Sequence, residues 1–91
     1  MVTGIVLVNV ERPFLRKVID KLMALDGVTE VYTIAGEYDL LVMVRVKDNN
    51  QLAEIIANKM SHEIENITHI KTLFAVEACA KVDLDKVFGH K

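Results

Sequence analysis

Apolar residues fall along this chain in two alternating rhythms. From Thr3 to Val10 (T-G-I-V-L-V-N-V) β-branched residues fill both alternating sets rather than one, the pattern of a strand covered on both faces. From Pro13, whose missing N–H costs nothing in a first helical turn, Phe14, Leu15, Val18, Ile19, Leu22 and Met23 recur at helical spacing, and Asp26-Gly27 ends the run. Val28 to Ala35 and Tyr38 to Val46 are rich in Val, Ile, Tyr and Thr and are parted by little more than Gly36-Glu37, which predicts a tight β-hairpin. Asp48 or Asn49 then caps a second helix with Leu52, Ile55, Ile56, Met60 and Ile64 as its buried stripe and Asn66 as its stop. Ile67 to Val82 reads as a long final strand, with Ile70, Thr72, Phe74, Val76 and Ala78 on one face and Leu73, Ala75, Glu77 and Cys79 on the other.

The order β-α-β-β-α-β, in two halves of similar length, predicts an α+β, ferredoxin-like split βαβ arrangement: an antiparallel sheet with two helices on one face. Two helices cover one face only, yet the strands are apolar on much of both, with Ile5 and Leu7 set against Val6, Val8 and Val10. At about 25 cal/mol per Å², several hundred Å² of bare apolar surface is too costly for a lone copy, so a homodimer of the α+β barrel type is expected. Residues 1–82 form the expected domain and residues 83–91 a C-terminal tail or docking extension.

Composition narrows the function classes. Ninety-one residues, 52% of them apolar, suffice for a single domain. Eleven basic against thirteen acidic residues give a net charge of −2, and the pI of 5.9 lacks the electrostatic footprint of a chain that neutralises many phosphates, so direct nucleic-acid binding is disfavoured. One cysteine, Cys79, allows no internal disulfide and no Cys-x-x-Cys metal pair, which fits a reducing, cytoplasmic setting. Met1 to Val10 lacks the basic start and cleavage site of a signal peptide, and no apolar run approaches the roughly 18 residues of a membrane span.

Candidate chemistry is concentrated between Val31 and Val42 (V-Y-T-I-A-G-E-Y-D-L-L-V), where Gly-x-Tyr-Asp interrupts two apolar runs with a phenol and an acid. A glycine turn exposes backbone N–H groups beside Asp39, so the segment offers donors for a carboxylate and an acceptor for an ammonium group. Each residue also has a plainer reading. Gly36 serves a turn that needs positive φ, Asp39 bonds nearby backbone N–H groups, and Tyr38 packs across the hairpin. His62, His69 and His90 are scattered without an i, i+4 pair or a cysteine neighbour, so no metal or cofactor is expected. Cys79 reads as a small interior or interface residue, and Met23, Met43 and Met60 lie at core spacing.

With these segments in order, the chain resembles the effector-binding domain (RAM, regulation of amino acid metabolism) of the Lrp/AsnC family of amino-acid-responsive transcriptional regulators. The likeness rests on the opening G-I-V-L-V-N-V, the helix ending L-D-G-V, the phrase V-T-E-V-Y-T-I-A-G-E-Y-D-L-L-V and the closing I-T-H-I-K-T-L-F-A-V. The resemblance implies a stand-alone module without the helix-turn-helix DNA-binding domain, because Met1 leads straight into the first strand. It also implies dimers joined through their sheets, assembly into rings, and a free amino acid bound between neighbouring dimers. Ligand binding would then shift assembly or the fit to DNA-binding partners such as full-length Lrp/AsnC regulators.

Carried onto this sequence, Gly36 shapes the turn, Tyr38 lines the pocket, Asp39 accepts the ammonium group, and Thr72 matches the family's threonine in the last strand. Ile70 stands where many members have a second hydroxyl, which points to an apolar effector. Two further readings compete with this one. One is a small dimeric ferredoxin-like enzyme of monooxygenase or isomerase type, with Tyr38, His62 or His69 as acid/base groups. The other is a purely structural oligomerisation domain. Small apolar strand faces favour a packed interface over a catalytic cavity, so no enzyme activity is expected.

Overall fold

The computed structural model describes residues 1–77, 79 and 81. Strand β1 (Val2–Val10) leads through a 3-10 turn (Arg12–Phe14) into helix α1 (Leu15–Met23), followed by β2 (Val28–Thr33) and β3 (Leu40–Val46). Helix α2 begins as Asn49–Ala53, continues with π-helical i→i+5 bonding over Glu54–Glu63, and returns the chain to β4 (Ile67–Phe74). The sheet is ordered β2-β3-β1-β4 with every neighbouring pair antiparallel. This is the ferredoxin-like arrangement that the hydrophobic pattern predicts.

The period-two alternation of the strands decides which residues face the helices. Val6, Val8 and Val10 of β1 and Leu40, Val42, Val44 and Val46 of β3 are buried, and they close one core with Val18, Ile19 and Leu22 of α1 and Leu52, Ile55, Met60 and Ile64 of the second helical segment. A fully buried valine or leucine side chain contributes about 1.5–3 kcal/mol, so this single face accounts for most of the driving force. Ile55 and Met60, five residues apart, are both buried, as π-helical spacing requires. The Ser61 hydroxyl donates to the Ile56 carbonyl at 2.9 Å across the same interval.

Signals at the element ends act as expected. Asp48 is the N-cap of α2, its Oδ1 accepting from the Gln51 N–H at 2.8 Å. Asn66 takes the left-handed φ of 73° before β4, and its amide donates to Glu11 Oε1 at 2.8 Å. Gly27 stops α1 with φ 95°, and a Cβ there would lie 2.7 Å from Val46 Cγ1 and 2.8 Å from Ile55 Cδ1. Only glycine fits where the chain passes under the core.

Four expectations change. The hairpin is wider than a two-residue turn: Thr33 pairs with Leu40, and the Ile34 N–H donates to the Asp39 carbonyl at 2.9 Å, so Ala35 to Tyr38 form the tip. Strand β4 ends at Phe74, although the Ala75 N–H still donates to the Thr3 carbonyl at 3.0 Å. The expected continuation through Ala78 to Val82, the tail 83–91 and His90 lie partly or wholly outside the described residues. Cys79 is exposed within one copy, which removes the interior reading and leaves the interface one untested, and of Met23, Met43 and Met60 only Met60 belongs to the core: Met43 lies on the opposite sheet face and Met23 is exposed.

The other sheet face carries Ile5 and Leu7 of β1, Leu41 and Met43 of β3, Tyr32 of β2 and Leu73 of β4, brought side by side by the register. Tyr32 is 50% and Leu73 42% exposed, so within one copy this apolar face is open. Its β2 side holds a polar cluster that interrupts the apolar rows. Arg45 donates through Nη1 to Thr29 Oγ1 at 2.7 Å and pairs with Glu30, whose other oxygen accepts from the Tyr32 hydroxyl. The Tyr32 hydrogen bond first, and Arg45 second, hold the Glu30 carboxyl below its usual range, and Glu30 in turn raises the Tyr32 phenol.

Candidate functional site

Asp39 ties the β2–β3 tip to the end of β1. Asp39 donates its N–H to the Val8 carbonyl at 3.0 Å, while its Oδ2 accepts the Val10 N–H at 2.9 Å, just beyond the point where Val8 pairs with Leu40. Its other oxygen, Oδ1, lies 4.0 Å from Arg12 Nη2. The Asp39 side chain is 24% exposed and that of Arg12 86%. The carboxylate is therefore held in place by one backbone donor, with acceptor capacity left on Oδ1, the oxygen beside Arg12.

Gly36 has φ 146°, a conformation L residues rarely adopt, and a Cβ there would meet nothing within 4 Å. The backbone, not crowding, selects glycine at this position. Tyr38, the last residue of the tip, is half-buried. Gly36, Tyr38 and Asp39 thus form one local group, and its Asp39 also plays the plainer backbone-bonding part, toward a neighbouring strand rather than within its own turn.

Thr72 lies elsewhere. On β4 it pairs with Val6 of β1, so β1 separates it from β3, and it faces a groove of about 820 Å³ between β4 and α2 lined by Val2, Leu52, Ile56 and Phe74 among others. Within one copy the four candidate residues are not convergent. A site that uses all four needs Thr72 from a neighbouring copy.

Sequence reasoning missed Arg12 and the Val10 N–H as neighbours of Asp39. Glu11-Arg12-Pro13 reads as the start of a helix, and only the fold carries it to the hairpin tip. It also missed the Thr29–Glu30–Tyr32–Arg45 cluster, whose signal was the placing of an acid and a base within otherwise apolar strands. Among the described residues no group of three or more His, Cys, Asp or Glu side chains could hold a metal ion, and no helix is long and apolar enough to cross a membrane.

Comparison with known proteins places this geometry in a family. The Thermus thermophilus protein TTHA0845 superposes with a TM-score of 0.80 at 28% identity, covering 89% of this chain and 100% of that one. Escherichia coli AsnC superposes with a TM-score of 0.81 at 23% identity over 91% of this chain, which spans 56% of AsnC, a likeness of fold alone. A 36-residue stretch, 40% of this chain, is 50% identical to homocitrate synthase of Saccharolobus islandicus but spans only 8% of that enzyme. The family model of the Lrp/AsnC ligand binding domain matches residues 3–82. With nearly the whole chain matched and the fold shared, this chain belongs to the Lrp/AsnC ligand-binding domain family.

Proposed function

We propose that this chain is a non-enzymatic regulatory module that binds a free amino acid with an apolar side chain at an interface between copies. Through that binding it tunes the assembly of DNA-binding Lrp/AsnC regulators in the cytoplasm. The observation that carries the reading is the Asp39 carboxylate, anchored by the Val10 N–H and still open on Oδ1 beside a glycine tip. An ammonium group docking there makes a charge-assisted hydrogen bond, the stronger class of such contacts. Tyr38 supplies apolar wall, and Thr72 of a neighbouring copy supplies a hydroxyl. The open sheet face, with Ile5, Leu7, Leu41 and Met43 in adjacent rows, supports a dimer as the unit from which larger assemblies are built.

A thermal-shift screen of the purified protein against the protein amino acids tests this reading, because a ligand that binds only the native state raises apparent stability. A selective rise is expected, and Asp39→Asn removes it while keeping an oxygen for the Val10 N–H. No rise with any amino acid overturns the sensor reading. The short match to homocitrate synthase favours a second reading, in which the same kind of module regulates an enzyme rather than a transcription factor. An amino-acid response without any effect on a DNA-binding partner selects that one.

A further inference from the structure

We propose that Arg12 is the carboxylate-binding residue of the effector site, so that Arg12 and Asp39 together recognise the zwitterion of a free α-amino acid. This rests on the amino-acid reading above and extends it to a residue outside the Gly-x-Tyr-Asp motif. Two opposite charges stand side by side without closing on each other. Arg12 Nη2 and Asp39 Oδ1 are 4.0 Å apart, longer than a hydrogen bond, and Arg12 is 86% exposed. A guanidinium has five N–H donors, and at this distance none is used up by Asp39.

The ammonium nitrogen and carboxyl carbon of an α-amino acid are about 2.5 Å apart by ordinary covalent geometry. A zwitterion laid antiparallel to the Arg12/Asp39 pair therefore places its ammonium group on Oδ1 and its carboxylate on the guanidinium. Each charge meets its opposite, and the fork of Arg12 matches both carboxylate oxygens.

The two partners differ in how they are held. Asp39 is fixed by the Val10 N–H and by its own backbone bonds to Val8 and Ile34. Arg12 is carried on the 3-10 turn that starts with Arg12-Pro13, where proline limits the backbone, while its side chain is free to close over a ligand. A peptide carries its free ammonium and carboxylate on different residues and a simple amine has no carboxylate, so the geometry selects free amino acids against both.

The test compares binding by calorimetry at about pH 6.5, below the α-amino pKa, so that every probe carries its ammonium group. The probes are the protein amino acids and the C-terminal amide of each one that binds. Wild-type protein is expected to bind the free acid at least about tenfold more tightly than its amide. Arg12→Gln is expected to lose about tenfold in affinity for the acid and to bind acid and amide alike, with Arg12→Lys intermediate. Arg12 is on the surface, so thermal unfolding of these variants should match the wild type. Unchanged or tighter binding of the acid by Arg12→Gln overturns the proposal and leaves the sensor function standing. Failure of the wild type to bind any amino acid overturns both.

Discussion

Replacing Asp39 by alanine and by asparagine removes different things. Alanine leaves the Val10 N–H without its acceptor, a loss of about 1–2 kcal/mol, as well as removing the charge. Asparagine keeps an acceptor oxygen and loses only the charge, so chemical denaturation should show Asp39→Asn near wild type and Asp39→Ala clearly weaker, while neither responds to amino acids. The two left-handed glycines separate in the same way. Gly27→Ala meets Val46 and Ile55 at under 3 Å on top of its backbone strain, and should cost more than about 2 kcal/mol. Gly36→Ala meets open space and carries strain alone, about 1 kcal/mol by denaturation. The Gly-x-Tyr-Asp group was legible in the sequence because its residue types and spacing are local. The partnership of Asp39 with Val10 and Arg12 was not, because it joins positions that only strand pairing brings together.

Among the elements, the Thr29–Glu30–Tyr32–Arg45 cluster makes the β2–β3 pair respond to acid. The folded Glu30 carboxyl titrates below its ordinary 4.5, chiefly through the Tyr32 hydroxyl and then Arg45. Its stabilisation is therefore present above that ordinary value and is lost as pH falls through the lower folded one. Stability measured against pH should show Glu30→Gln weaker than wild type at neutral pH and the two curves converging in acid. At the N-terminus of α2, Asp48→Ala should cost about 1 kcal/mol, read as a lower urea midpoint with an unchanged slope. The helices and strands themselves were legible because apolar period and cap residues are carried locally by the chain. The π-helical stretch was not, since Leu52, Ile56, Met60 and Ile64 recur four residues apart and imitate an α-helical stripe, which hides the i→i+5 relation of the buried Ile55 and Met60. Nor was the hairpin width, because Asp39 extends its arm through bonds to Ile34 and Val8 that residue preferences do not encode.

Among the described residues the sheet has two apolar faces and one set of helices. The helix-covered face makes the core, and the open face with Ile5, Leu7, Leu41 and Met43 is the one proposed to pair copies. Met43→Glu places a charge at the centre of that face without touching the core, and sedimentation should find folded protein in a smaller species than wild type. The separation of Thr72 from the hairpin tip gives assembly a second meaning, since a pocket using both needs more than one copy.

Native mass spectrometry of the purified chain with and without the protein amino acids reads both properties together. Discrete assemblies of even copy number are expected, carrying a selective added mass of one amino acid type that is lost in Asp39→Asn. Monomers under all conditions, or assemblies that take up no amino acid, would contradict the proposed role.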